Sequence, residues 1–162
     1  MKQLILVRHG KSSWQYDVID RERPLKSRGI NDAIKVSKAF LDYNINIDRM
    51  FSSPANRALS TCKLFFEQLN IPESQIQIEE DLYDFSGENV LNFIKKMDDQ
   101  LDTVMIFGHN HAFTAIVNTY GDRYINNLPT SGLAIIEFNI NNWKHLKLGH
   151  TKDILFPRDY RF

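Results

Sequence analysis

The chain has 162 residues, 43% of them hydrophobic, enough to bury one substantial core, and it reads as one domain over residues 1–162. Lys plus Arg and Asp plus Glu both number 20, so the formal charge is zero and any preference for anions has to be local rather than global. A single cysteine, Cys62, excludes an internal disulfide and a multi-cysteine zinc site, and no apolar run approaches a membrane span or a signal-peptide core; the expectation is a cytoplasmic protein with no nucleic-acid or membrane partner.

Leu4-Ile5-Leu6-Val7 is a short apolar run of the kind that forms a buried strand, and Arg8-His9-Gly10 stands directly behind it, where strand passes into loop. Ile30, Ala33, Ile34 and Leu41 then recur at helical spacing, and Asp48-Arg49-Met50-Phe51 reads as a second strand. Ser53-Pro54 signals a helix start, with Ser53 as cap and Pro54 in the first turn. Leu59, Cys62, Phe66 and Leu69 line one face of that helix, which makes Cys62 a core residue rather than a nucleophile. A short strand at Ile76-Gln77-Ile78 precedes a helix opened by Ser86-Gly87 and carrying Val90, Leu91, Ile94 and Met97. Residues 103–107 form the clearest strand after the first, and Gly108-His109 leads into a helix with Phe113, Ile116, Val117 and Tyr120 on one face. Two late strands, 133–138 and 143–149, join across 139–142 as an antiparallel hairpin, and the aromatic tail at Tyr160 and Phe162 reads as docked against the body. This alternation predicts a three-layer α/β/α fold with a mostly parallel central sheet and a late antiparallel hairpin.

Parallel strands bring three of these ends to one edge of the sheet, where ligand sites in such folds gather. The first delivers Arg8 and His9, the second Ser52-Ser53-Pro54 with Arg57 in the first helical turn, and the strand at 103–107 delivers His109. The helix carrying Arg57 aims free amides and a positive dipole at the same region. Two arginines and two histidines can share the charge on the three oxygens of a transferring phosphoryl group, and a histidine nitrogen can receive it.

Arg8-His9-Gly10, the segment Ser53-Pro54-Ala55-Asn56-Arg57-Ala58, and Gly108-His109 match in order the motifs of the histidine phosphatase superfamily, the phosphoglycerate mutase-like branch. Arg23-Pro24-Leu25 followed by Arg28-Gly29 resembles a further family segment. Lys11-Ser12-Ser13-Trp14, Leu82-Tyr83-Asp84 and Leu155-Phe156-Pro157-Arg158-Asp159, with the small size, are similar to the SixA-type phosphohistidine phosphatases, so the resemblance covers nearly the whole chain. It implies a phosphoglycerate mutase-like fold in which His9 attacks phosphorus through a neutral ring nitrogen, carries the phosphoryl group and yields it to water. Arg8, Arg57 and His109 would hold the oxygens. His109 works protonated or as a hydrogen-bond donor and His9 must start unprotonated on the attacking nitrogen, so their surroundings are expected to push the two pKa values apart. No metal or other cofactor is called for, because the arginines neutralise charge as magnesium does in kinases.

Two features depart from the broader family. The carboxylic acid that protonates a departing alkoxide is not recognisable between Glu79 and Glu88, which leaves Asp84 and Glu88 as candidates. Imidazole leaves as a weaker base than an alkoxide, so this favours a phosphohistidine-bearing protein over a small phosphorylated substrate such as a sugar phosphate. Gln15 stands where many members carry an Asn that contacts phosphate, and is a candidate ligand. His111 reads as pocket rim or helix cap rather than as a metal partner of His109. Arg21, Arg23, Lys26 and Arg28 either guide an anion to the pocket or form a solvated turn balanced by Asp17, Asp20 and Glu22. The competing functions are a small-molecule phosphate-ester phosphatase and a non-catalytic phosphate-recognition module; an intact His9 speaks against the module.

Overall fold

Strand β1 (Lys2–Arg8) carries Leu4 and Leu6 on one face and Ile5 and Val7 on the other, and all four are fully buried. That pattern requires cover on both faces, which the computed structural model, describing residues 1–160, provides with helices. The strands β1, β2 (Arg49–Ser52), β3 (Ile76–Ile78), β4 (Thr103–Gly108), β5 (Leu133–Phe138) and β6 (His150–Leu155) form one sheet in the order β3-β2-β4-β1-β5-β6. The first four in that order are parallel, and β5 runs antiparallel to both of its neighbours.

Helices α1 (Ser27–Leu41) and α2 (Asn56–Leu69) cover the face of Ile5 and Val7, with Ala33, Val36, Phe40, Cys62 and Phe65 in that half of the core. Helices α3 (Glu88–Lys95) and α4 (Ala112–Tyr120) cover the face of Leu4 and Leu6, through Val90, Ile94, Phe113, Ile116 and Val117. The fold is thus the expected α/β/α sandwich. Because α1 leaves β1 on one face and α4 leaves the adjacent β4 on the other, a crevice opens beyond the carboxyl ends of these two strands. Arg8 lies in register with Gly108, which sets His9 and His109 side by side at its floor.

Several local expectations are corrected. The buried face of α1 is the row Ala33, Val36, Ser37 and Phe40, whereas Ile30 and Leu41 fall outside it and are exposed. In α2 the buried row is Ala58, Thr61, Cys62 and Phe65, one step round from the predicted stripe. The second strand starts at Arg49, and α2 starts at Asn56 with Ala55 at its cap position, so Ser53 does not cap it. Helix α3 ends at Lys95, and Met97 is buried beyond it. The last strand is residues 150–155, not 143–149. Trp143 belongs to a single 3-10 turn, fully buried, with its ring N–H donating to the Leu101 carbonyl at 2.9 Å and its backbone N–H to Asp99 at 2.8 Å. The apolar residues there anchor a connection rather than a strand. Tyr160 packs partly buried against the α1 side of the core, and Phe162 lies outside the described residues. Among the described residues no helix is long and apolar enough to cross a membrane.

Candidate active site

His9 is held at both ends of its residue. Its backbone N–H donates to the Gly108 carbonyl at 3.0 Å, and ring Nδ1 lies 2.7 Å from the Gly10 carbonyl. A carbonyl oxygen only accepts, so Nδ1 carries the ring hydrogen and Nε2 of a neutral His9 keeps a free lone pair. The Gly10 N–H donates to Thr61 Oγ1 at 2.9 Å, and the Thr61 hydroxyl donates to the Arg57 carbonyl at 2.7 Å, tying this loop to the first turns of α2. Ser131, at φ +61°, gives its N–H to the carbonyls of both Arg8 and His9. The loop also presses on the start of α1 so closely that a Cβ on Gly29 would stand 2.7 Å from the Lys11 nitrogen and 2.4 Å from its oxygen.

The cations converge on a cavity of about 210 Å³ lined by Arg8, His9, Lys11, Ser12, Trp14, Arg23, Arg57 and Thr130. Arg57, the second residue of α2, is buried; its Nη1 donates to the Asp20 carbonyl at 2.8 Å and its Nη2 to the Asp20 carboxylate at 3.0 Å. Arg23 is buried too, donating to the Ser13 carbonyl, to Ser12 Oγ and to Asp20, with its guanidinium 3.2 Å from the Trp14 ring centre. Arg8 gives one Nη to the Leu128 carbonyl at 2.9 Å, while its buried Nε has no partner. Preformed donors with unmet hydrogen-bonding capacity in a pocket this small suit an oxyanion.

The rings of His9 and His109 lie 5.2 Å apart, and His109 also packs 5.2 Å from the rings of Tyr83 and Phe85. Burial, with Arg57, Arg8 and Arg23 adding to it against the opposing Gly10 hydrogen bond, pushes the His9 pKa down to about 3. Burial, then the neighbouring His9 and Arg57, pushes that of His109 down to about 2. The expectation that the two would be driven apart is therefore corrected. Both rings share one buried, cationic environment, so both are neutral in the free site and their roles have to differ by which nitrogen holds the hydrogen. Burial raises the pKa of Asp20, but hydrogen bonds from Tyr83, Arg57 and Arg23 outweigh it and bring the value down to about 2.

Of the four residues the sequence singled out, Arg8, His9 and Arg57 line the cavity, and His109 stands beside it, against the ring of His9, without being one of the lining residues. Gln15 is exposed on the loop after Trp14 and does not line the cavity. Asp84 is buried and its carboxylate accepts from the N–H groups of Gly87, Asn89 and Val90, so it caps α3; Glu88 is exposed in the first turn of that helix. His111 is exposed at the cap position of α4. The basic group divides: Arg23 is part of the pocket, Arg21 pairs with Glu80 at 2.6 Å, and Lys26 and Arg28 are exposed. Sequence reasoning missed Asp20, Tyr83 and Ser53, whose roles are tertiary. Tyr83 donates to the Asp20 carboxylate at 2.6 Å, and Ser53 Oγ lies 2.9 Å from His109 Nε2. Among the described residues, no group of three or more His, Cys, Asp or Glu is arranged to hold a metal ion.

Residues 4–90, which include His9 and Arg57, match the histidine phosphatase superfamily (branch 1). The solved structure of the protein histidine phosphatase SixA complexed with tungstate superposes with a TM-score of 0.82 over 97% of this chain and 98% of that one, at 19% identity, a likeness of fold. An uncharacterized Mycobacterium leprae protein is 27% identical over 93% of this chain and 98% of its own length. The 2,3-bisphosphoglycerate-dependent phosphoglycerate mutase of Rhizobium meliloti is 36% identical over 53% of this chain and 44% of its own.

Proposed function

The chain belongs to the histidine phosphatase superfamily (branch 1), and from that premise we propose that it is a phosphatase acting on phosphohistidine borne by a protein, through a phosphoryl group held transiently on His9. The observation that carries the reading is the 2.7 Å bond from His9 Nδ1 to the Gly10 carbonyl, which leaves Nε2 as the nucleophilic nitrogen among three arginines. In the first step the Nε2–P bond forms as the bond from phosphorus to the substrate imidazole breaks, and the departing imidazole takes a proton from solvent. In the second, water attacks phosphorus, phosphate leaves and His9 regains its lone pair. Arg8, Arg57 and His109 hold the equatorial oxygens, where charge is spread in the transition state.

The nitrogen-linked substrate is supported by the placement of the carboxylates. Asp84 is committed to capping α3, Glu88 is exposed, and Asp20 is held as a carboxylate by three donors, so a strong acid for an alkoxide is not provided. The exposed rings of Trp14 and Phe85 at the site's edge also suit a planar leaving group on a protein surface. We read the compartment as cytoplasmic, supported by the single buried thiol of Cys62, and the partner as a phosphorylated protein, with no nucleic acid or membrane involved.

The test compares a phosphohistidine-bearing carrier domain, an aryl phosphate and phosphoglycerate as substrates for the protein and for His9→Ala. The reading expects phosphate release to be fastest from the carrier domain and lost in the variant. Turnover surviving in His9→Ala would sink the nucleophile assignment, rapid turnover of phosphoglycerate alone would overturn the substrate class, and phosphate binding without turnover would favour a recognition module.

A further inference from the structure

We propose that Ser53 is a positioning residue, whose hydroxyl donates to Nε2 of His109 and thereby holds that ring in the tautomer with its hydrogen on Nδ1, available to a phosphoryl oxygen. The proposal deepens the phosphatase reading and rests on it for the identity of the acceptor. The pair is fixed by the sheet: the Ser53 N–H donates to the Phe107 carbonyl at 3.0 Å, which aligns the end of β2 with that of β4 and brings Ser53 Oγ to 2.9 Å from His109 Nε2. Both residues are fully buried, so each hydrogen must be accounted for.

Two arrangements of the pair are conceivable, and the hydrogen-bond count selects one. Ser53 Oγ already accepts the Ala55 N–H at 3.2 Å. If Nε2 also donated to it, the Ser53 hydrogen would have no acceptor among the described residues, and a bare Nδ1 lone pair would be offered to an anionic ligand. If instead Ser53 donates to Nε2, its hydrogen is used, and Nδ1 bears an N–H. That Nδ1 is buried and has no hydrogen-bond partner among the described residues, and the imidazole that carries it packs against the rings of His9, Tyr83 and Phe85. A buried donor left unpaired is destabilising, which is tolerable where a ligand supplies the acceptor. A neutral ring has one donor, so without Ser53 nothing in the site dictates which nitrogen carries it. His9 and His109 then share one tautomer and use opposite ends of it: His9 keeps Nδ1–H on the Gly10 carbonyl and offers Nε2, while His109 keeps Nε2 on Ser53 and offers Nδ1–H.

The experiment records long-range proton–nitrogen correlations of the histidine rings of the ¹⁵N-labelled protein at pH 7, free and with inorganic phosphate, for the protein, Ser53→Ala and Ser53→Thr. The proposal expects His109 to show a protonated Nδ1 and an unprotonated Nε2, with the Nδ1–H resonance moving on phosphate binding. Ser53→Ala should give mixed tautomers and at least a tenfold lower kcat on the carrier substrate, and Ser53→Thr, which keeps a hydroxyl, should restore both. A protonated Nε2 in the unaltered protein would overturn the proposal, as would a Ser53→Ala variant with the tautomer and kcat unchanged. Folding of each variant is read from the same spectra. Should the protein turn over no substrate while phosphate still moves the Nδ1–H resonance, the tautomer assignment stands and the phosphatase reading falls.

Discussion

Arg57 gives both ends of its guanidinium to one residue, donating to the carbonyl of Asp20 and to its carboxylate. The carboxylate thus sits on the cation that a phosphoryl group would use, and Arg23 and Tyr83 hold it there. Asp20→Asn removes that negative charge while keeping an acceptor of similar shape. Inorganic phosphate is expected to bind about tenfold more tightly, worth ~1.4 kcal/mol, as measured by calorimetry or by product inhibition. Unchanged or weaker binding would mean that Asp20 does not oppose the anion.

Burial and the neighbouring arginines push the His9 pKa down to about 3, so the nitrogen proposed as the nucleophile stays unprotonated through the ordinary acid range. The acid limb of kcat/KM, corrected for ionisation of the substrate, should therefore fall below pH 4.5 instead of near the usual histidine value of about 6.5. A half-maximal point near 6.5 would show that His9 does not have the buried, cationic surroundings described.

Stability carries the same signature with a defined sign. Between about pH 3 and about 6.5 the unfolded chain binds protons at the positions of His9 and His109 that the folded protein does not. Their contribution is fully present above about 6.5 and is lost as pH falls toward the lowered values, with a slope of up to about 1.4 kcal/mol per pH unit for each histidine. Urea denaturation from pH 4 to 7 should give a shallower slope for His109→Gln by close to one proton. An identical slope in the variant would contradict this.

Asp84→Ala separates capping from catalysis. Loss of the carboxylate leaves the first amides of α3 without their acceptor, and the variant should lose roughly 1–2 kcal/mol in urea denaturation. Turnover of the proposed phosphohistidine substrate by the remaining folded protein should stay within about threefold. A collapse of kcat with stability intact would make Asp84 the general acid.

Gly29→Ala places a methyl group against the Lys11 backbone, which cannot give way without moving the loop that carries Ser12 and Trp14 into the cavity. The expected cost is about 1–3 kcal/mol with a fall in phosphate affinity. A variant with unchanged melting and binding would mean that this approach is not needed to shape the pocket.

Much of this architecture was legible in the chain. Apolar runs behind which Arg8-His9 and Gly108-His109 stand gave β1 and β4, and their parallel pairing explains how residues a hundred positions apart meet. What stayed hidden is tertiary. Trp143 looks like strand because it is apolar, yet it sits in a 3-10 turn, fully buried, with its ring N–H satisfied by the Leu101 carbonyl. Ser53 looks like a helix cap because it precedes Pro54, yet its hydroxyl faces His109 from the next strand. Arg23 and Asp20 read as members of a mixed-charge turn; only the folded loop turns them inward onto Ser12, Ser13 and Arg57. The shared fall of the two histidine pKa values was equally invisible, since it comes from burial and from cations held on three separate elements.

In the proposed reaction His9 Nε2 is the atom that receives the phosphoryl group. Acid-free rapid quenching of the protein with a phosphohistidine-bearing carrier, followed by peptide mass spectrometry and ³¹P spectroscopy, tests this directly. The predicted result is one labile phosphoryl group on His9, attached at Nε2 and missing in His9→Ala. Label at Nδ1 of His9, or on His109, or none in a turning-over sample with adequate time resolution, would contradict it.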